Sequence, residues 1–314
     1  MPLAKNEYLS DSWKDGIFDN KVVFCTGGAG TICSAQVRAL VHLGANACIV
    51  GRNPEKTENV AKDIATARRG AKVLGVGSVD VRNMQSVQAA VNKCVGELGG
   101  IDFLIAGAAG NFLAPINQLS PNAFKSVIDI DVLGSYNTLK ATLPALVASA
   151  QKHKSDGKKA CPDGTGGRII FVSATIHYTT TPLQVHVSVA KAGIDALSAT
   201  TALELGPRGI TSNVIAPGPI GGTEGMDRLS RKEDLEKAMK GVPLGRYGTV
   251  KDIADATVYL FGDAGNFVNG SVLVVDGAAW RTGAVNAGAG FEYPDFLLEE
   301  KTVSGVKGLK QSKL

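Results

Sequence analysis

Residues 21–32 read KVVFCTGGAGTI, and the fold follows from how this stretch is parsed. Residues 22–25 form an apolar run as short as a buried strand, and glycine fills three of the four positions after Thr26. From Ile32 onward, Ala35, Val37, Leu40, Val41 and Leu43 give the apolar stripe of a helix. Strand, glycine turn and helix start together make the geometry that holds a pyrophosphate. Glycine keeps the turn tight and lets backbone N–H groups approach, and the free N–H groups of the first helical turn point at the anion. Gly27, Gly28, Gly30, Thr31 and Ile32 are therefore expected to touch a dinucleotide. A glycine pair after an apolar strand is also common as a plain turn, so the rest of the chain has to supply the partners.

Outward from this turn, strand and helix patterns alternate. A second strand is expected at 46–50, ending in Gly51-Arg52-Asn53, and Pro54 opens a helix to about 69. A third strand at 73–79 leads into Asp80-Val81-Arg82; a helix at 84–98 and a strand at 101–106 follow, then Gly107-Ala108-Ala109-Gly110-Asn111. Ser120-Pro121 begins a long helix reaching towards 150, and 151–167, polar and rich in Lys and Gly, reads as a surface loop. Next come a strand at 168–173, a long helix at 183–205 and a strand at 210–216 broken by Pro217-Gly218-Pro219. An amphipathic lid at 223–240, a helix at 250–261 and a last strand at 271–275 complete the pattern. Such alternation calls for parallel βαβ units with right-handed crossovers. The expected fold is one α/β domain at 18–283, a doubly wound parallel sheet of Rossmann type in three α/β/α layers. An irregular surface leader at 1–17 and a tail at 284–314 flank it.

Composition agrees with this. Of 314 residues, 44% are hydrophobic and 20% charged, enough apolar mass for a large core, and 38 glycines with 6% aromatics suit a sheet with many tight turns. A formal charge of +4 fits a small anionic ligand, and no basic run calls for nucleic acid. Cys25, Cys33, Cys48, Cys94 and Cys161 form no CxxC pair, which points to reduced thiols and assigns no metal site. No stretch has the length of a membrane span, and MPLAKNEYLSDSWKDG at 1–16 lacks an apolar signal core. The chain closes on Ser312-Lys313-Leu314, a tripeptide read by the peroxisomal import receptor, so the peroxisomal matrix is the expected location. Gly305, Lys307 and Gly308 suit an exposed tail there.

Ligands of an open α/β sheet sit beyond the carboxyl ends of its strands. The end of the second strand discriminates between dinucleotides. A carboxylate there would accept from a ribose 2′-OH; Val50-Gly51-Arg52 has none, and a guanidinium suits a 2′-phosphate. NADPH is thus favoured, the alternative being an arginine that merely caps a loop.

TGGAGTI, Asp80-Val81, the 107–110 segment, Lys191 in its long helix and Pro217-Gly218 together resemble the short-chain dehydrogenase/reductases over about 18–283. The resemblance implies that Asp80 and Val81 hold the adenine and the 107–110 segment lines the adenosine. It also implies that Lys191 bonds the nicotinamide ribose while Pro217, Gly218, Ile220 and Thr223 embrace the nicotinamide. The chain departs from the family at Thr31 and Cys33, where glycines are usual. A larger departure is at the Tyr-x-x-x-Lys pair: the position four before Lys191 is Val187, and the family serine falls on Ala174. Neither can donate a proton.

AGAAGNF, LSPNAF, DIDVLGSYN, LQVHVSVAKAGIDAL and APGPIGGTEG are similar to the peroxisomal 2,4-dienoyl-CoA reductases, which also lack that tyrosine. They carry an aspartate, here Asp131, where other members carry asparagine. The implied reaction delivers hydride to C5 of a conjugated thioester, spreads charge to the thioester oxygen and protonates the α-carbon, giving a 3-enoyl-CoA. It needs an oxyanion donor and an acid near the α-carbon, not a phenol at a carbonyl carbon. Asp131, through an ordered water, is the candidate acid; the alternative is a structural hydrogen-bonder, with Asp129 as control. Asn111 is the candidate oxyanion donor, or else a plain loop residue. Lys191 adds positive potential. Phe112 covers the acyl chain or packs in the core, and His186 is turned about 100° from the lost tyrosine's position on the helix. For the CoA phosphates the resemblance points to Arg52, Arg82, Arg228 and the helix start at Ser120 and Asn122. It also implies a homodimer or homotetramer paired through the long helices. Two other readings stay open, a catalytically silent NADP-binding scaffold and a reductase of ketoacyl substrates.

Overall fold

The structure is a computed structural model and describes residues 3–153, 166–223 and 239–282. Its centre is β1 (Val22–Thr26), buried at every position as the unbroken apolar run requires of a strand covered on both faces. β2 (Asn46–Val50) pairs with one edge of β1, and β4 (Phe103–Ala106) with the other. β3 (Val73–Val76) lies outside β2, and β5 (Arg168–Val172), β6 (Thr211–Pro217) and β7 (Val272–Val275) extend the far side. The order is β3-β2-β1-β4-β5-β6-β7, and every pairing is parallel. The winding reverses between β1 and β4, so a crevice opens beyond their carboxyl ends.

The helices begin where capping chemistry places them. Asn53 accepts from the Lys56 N–H ahead of α3 (Pro54–Ala65), and Asn83 from the Ser86 N–H ahead of α4 (Met84–Leu98). One face of the sheet carries α2 (Thr31–His42) and α9 (Val250–Phe261); Val37, Leu40, Val258 and Phe261 bury there with Val23, Cys25 and Phe103. The other face carries α4 and the long helices, where Val87, Val91, Leu146 and Ile194 meet Phe24, Leu104 and Phe171.

Three features differ from expectation. The third strand stops at Val76 instead of 79, because Ser78 turns into the left-handed region (φ 57°) and breaks the ladder. The helix from Ser120 is not uniform: α5 (Pro121–Ile128) passes through a π-helical turn, Asp129–Leu133, into α6 (Gly134–Lys152). The leader is not peripheral. A short helix α1 (Lys5–Tyr8) docks on α2 and α9 with Tyr8 and Leu9 buried, and Ser10 and the Trp13 indole N–H donate to Asp255 of α9. A four-residue helix has no periodicity to read, so only packing reveals it.

Residues 154–165 of the expected loop, 224–238 of the expected lid with Arg228, Cys161, and the tail with Ser312–Leu314 lie outside the described residues. Among the described residues no helix is long and apolar enough to cross a membrane. Cys25, Cys33, Cys48 and Cys94 are buried free thiols.

Candidate active site

Beyond the end of β1 the chain forms an anion cradle. Gly27 takes φ +66°, and a side chain there would meet Gly107 O at 2.8 Å. Gly28 packs so tightly that an added Cβ would stand 2.5 Å from that of Ile49. Gly30 caps α2 without any side-chain hydrogen bond, so the N–H groups of Thr31, Ile32 and Cys33 open the helix with no acceptor inside it. Cys33, at a usual glycine position, is tolerated because its sulfur packs against Gly107, which has no side chain to oppose it. The cradle therefore fits a dinucleotide pyrophosphate.

At the adenosine end Arg52 is exposed just past β2, and its charge acts on Asp80. The Asp80 carboxylate is held below its usual range chiefly by hydrogen bonds from the Arg82 guanidinium (Nη2–Oδ2 2.6 Å). Arg82, expected at the CoA, thus stands in this structure as the partner of Asp80. Val81 is buried, and its carbonyl accepts from Asn137 Nδ2 at 2.9 Å. At the opposite end, the Gly218 N–H donates to Val275 O and a Cβ there would meet that of Asp276 at 2.3 Å. Ile220 bridges to Gly248, and Thr223 Oγ1 donates to Ile220 O at 2.9 Å. Pro217, the last residue of β6, accepts from the Thr175 N–H.

The π turn decides what Asp131 does. One extra residue in the turn rotates the inward face. Asp129 stays outside in an ion pair with Lys125, while Asp131 is 1% exposed. Its Oδ1 accepts from the Gly110 N–H at 2.7 Å. Its Oδ2 stands 3.0 Å from Lys191 Nζ but off the hydrogen-bonding direction, so the ammonium meets it as a charge and the oxygen has no hydrogen bond. Lys191 projects from α8 (Val185–Leu205) and also donates to Val172 O at 3.1 Å, at the end of β5. An ammonium has three N–H donors, so these neighbours do not exhaust it.

Val187 is 1% exposed and packs with Val127, Ala190, Phe112, Ile128, Val132 and Ile176. The place of the family's phenol is thus filled by apolar packing. The His186 ring stacks on Phe112 with centroids 4.2 Å apart, and its Nε2 donates to Phe112 O at 3.0 Å. Burial pushes the His186 pKa down, and its Nδ1 has no partner. Phe112 consequently serves as a lid on His186. Asn111 is exposed, and its Oδ1 accepts from Gln184 Nε2 at 3.0 Å, which turns its Nδ2 donors the other way. Ser120 Oγ caps α5 by accepting from the Ala123 N–H, and Asn122 is exposed in the first turn.

Two groups were not anticipated from sequence. Asp276, just past β7, accepts from the Ala278 and Trp280 N–H groups, each at 2.8 Å. It helps line a cavity of about 270 Å³ with Leu244, Arg246 and Gly248. Asp195, His177 and Tyr178 form a hydrogen-bonded cluster beside α8. A VVDG or IDAL run carries no spacing signal for either.

This fold and cleft define a dinucleotide-binding protein of the doubly wound α/β class. The family described as Enoyl-(Acyl carrier protein) reductase matches residues 27–278. A short-chain type dehydrogenase/reductase from Mycobacterium ulcerans aligns with a TM-score of 0.75 at 26% identity, over 84% of this chain and 91% of that one. The peroxisomal 2,4-dienoyl-CoA reductase SPS19, (3E)-enoyl-CoA-producing, of Saccharomyces cerevisiae is 51% identical over 93% of this chain and 94% of its own. The peroxisomal 2,4-dienoyl-CoA reductase, (3E)-enoyl-CoA-producing, of Danio rerio is 39% identical over 85% and 84%. The chain belongs to the short-chain dehydrogenase/reductases, in the branch of the peroxisomal 2,4-dienoyl-CoA reductases.

Proposed function

We propose that this chain reduces 2,4-dienoyl-CoA to 3-enoyl-CoA with NADPH in the peroxisome, in the oxidation of unsaturated fatty acids. The observation that carries the reading is the buried Asp131–Lys191 pair set beside a phenol position that apolar packing has filled. Such a site lacks the donor that a ketone's developing alkoxide requires, yet keeps a charged relay for protonating carbon.

Bound NADPH supplies a hydride, which the conjugated thioester accepts at C5. Asn111 Nδ2, turned outward by the Gln184 contact, donates to the thioester oxygen as charge collects there. A water on Asp131 Oδ2, the oxygen with no hydrogen bond, passes the proton to the α-carbon. The hydroxide that this water leaves takes a proton from the Lys191 ammonium, 3.0 Å from that oxygen, and Lys191 regains one from solvent. His186 stays a neutral spacer beneath Phe112, its Nε2 committed to a carbonyl.

NADPH over NADH is supported by the exposed Arg52, with no carboxylate at the end of β2 and Asp80 already engaged by Arg82. Arg52, Arg82, Arg228 and the amides after Ser120 and Asn122 are the proposed holders of the CoA phosphates, and Phe112 of the acyl chain. The pairing of two or four copies is supported by Leu133, Tyr136 and Val189, large apolar side chains left exposed along the long helices. Import through Ser312-Lys313-Leu314 is tested by deleting the tripeptide, which should leave the protein in the cytosol.

The decisive assay offers 2,4-hexadienoyl-CoA with NADPH or NADH and identifies the product by NMR. Oxidation of NADPH with a double bond at C3 is expected. Tight NADPH binding without turnover would leave only a silent scaffold, and preferential turnover of a 3-ketoacyl-CoA would replace the reading altogether.

A further inference from the structure

The site contains a carboxylate that the reaction above does not use. Asp195 lies one turn beyond Lys191 on α8. Its Oδ2 is 2.8 Å from His177 Nε2 and also accepts from the Tyr178 hydroxyl. Burial works against the charge on Asp195, yet the hydrogen bonds from His177 and Tyr178 outweigh it and hold its pKa below the usual range. Burial and then the bond to Asp195 push the Tyr178 phenol up, so it is a fixed donor.

His177 and Tyr178 sit on α7 (Ile176–Thr179), which begins just past the carboxyl end of β5. Their rings touch, with centroids 3.9 Å apart. Tyr178 also meets the Trp280 ring at 5.4 Å, and the Trp280 N–H is the one that donates to Asp276 just past β7. The Arg281 guanidinium lies 3.8 Å from the centroid of the Trp280 ring. A continuous run of contacts therefore joins α8, α7 and the segment after β7. Those last two elements flank the end of β6, where Pro217 to Thr223 line the cleft.

The cluster is costly in two ways. His177 Nδ1 and Asp195 Oδ1 are buried without partners. The chain leaving α7 puts two non-glycine residues in the left-handed region, Thr180 at φ 52° and Leu183 at φ 67°. Strain of this kind persists where surrounding contacts over-determine the backbone, and it gathers at functional sites.

We infer that Asp195 is a positioning residue for the acyl-thioester end of the cleft: through His177 and Tyr178 it fixes α7, and through Tyr178 against Trp280 it holds α7 at a set spacing from the segment after β7. The inference rests on the dienoyl-CoA reading of the site. The cradle for the pyrophosphate on β1 and the Arg52 end of β2 lie away from this tie, so most of the cofactor's charged contacts are untouched and loosening it falls mainly on the acyl substrate.

The test compares wild type with Asp195→Ala, Asp195→Asn, Tyr178→Phe, Trp280→Ala and the double variant Asp195→Ala/Trp280→Ala, using 2,4-hexadienoyl-CoA. Asp195→Ala should raise the KM for the dienoyl-CoA about tenfold while kcat and the NADPH dissociation constant stay within about twofold. Asp195→Asn, which keeps an acceptor for Tyr178, should recover most of the loss. The double variant should be no worse than the poorer single one, because both cut the same tie. If Asp195→Ala does not fold, Tyr178→Phe carries the same KM split at smaller amplitude. An unchanged KM in an active, folded variant overturns the inference, as does a parallel loss of kcat, NADPH affinity and Tm. Multiplying effects in the double variant also overturn it. Absence of turnover by the wild type removes the dienoyl-CoA reading and the inference with it; wild-type turnover with unaltered variants removes the inference alone.

Discussion

Asp131 and Asp129 stand two residues apart and do opposite things, because one is inside the domain and the other is not. Replacing Asp131 by alanine should lower kcat by about 10²–10³, the range of a lost general acid, and leave NADPH binding intact. Steady-state kinetics with a parallel cofactor titration check this, and Asp129→Ala is expected to match wild type. Val187 poses the converse case. Val187→Tyr adds a ring to a packed cluster and should destabilise the fold by about 1–3 kcal/mol without creating ketone reduction. Chemical denaturation and a ketoacyl-CoA assay read the two halves. At the other end of the cleft, Arg52→Glu should raise the KM for NADPH about tenfold or more, as a charge-assisted contact is lost, and narrow the preference over NADH.

The element that matters most is the helix interrupted by the π turn, since a regular helix from 121 to 152 would aim Asp131 elsewhere. α9 shows element-scale stability in a simpler form. Thr249 accepts from the Asp252 N–H, Asp252 returns a bond to the Thr249 N–H, and Arg246 grips the same carboxylate with both nitrogens. The Arg246 hydrogen bonds lead in lowering the Asp252 pKa from 3.8 to about 2. A depressed carboxylate stabilises the fold above its ordinary pKa, and that contribution disappears as pH falls from 3.8 through about 2. Asp252→Asn should therefore be less stable than wild type near neutrality and converge on it in acid, with a modest gap because the pair is largely solvated. Thr249→Ala should cost about 1 kcal/mol near neutrality and keep most of that loss in acid, because its cap on the Asp252 N–H does not titrate while its bond to the carboxylate does. Melting curves at several pH values separate the two.

At the scale of the whole molecule, the leader is part of the domain. Tyr8 bonds His42, Arg38 lies over the Tyr8 ring, and Asp255 collects Ser10 and Trp13 from 245 and 242 residues away in sequence. Asp255→Ala should release this strap and leave half-buried donors unpaired, costing about 1–3 kcal/mol. Differential scanning calorimetry should show the fall in Tm, with kcat unchanged because α9 and the leader lie away from the Asp131 side of the sheet. Arg168 makes a comparable long tie, from β5 to Leu260 O at the end of α9, and burial lowers its pKa to about 10.

Much of this was written locally. The run 22–25 followed by Thr26-Gly27-Gly28, the Asn53 and Asn83 caps and the unbroken apolar strands each specify their own element, so sequence by itself determined the alternating order, the parallel sheet and the cleft at its carboxyl edge. Once the family resemblance supplies the Tyr-x-x-x-Lys pair, Val187 four before Lys191 likewise shows in the sequence that a phenol is missing, because helix spacing is a local property. What tertiary structure alone decided depends on contacts between distant segments. The docking of Tyr8 and Leu9, the engagement of Arg82 by Asp80, the stacking of Phe112 on His186 and the gathering of His177, Tyr178 and Asp195 have no periodic trace in the chain. The aim of Asp131 belongs with these: an extra residue in one helical turn is invisible in the letters, yet it sets which side of the helix a carboxylate faces and so whether Lys191 can reach it.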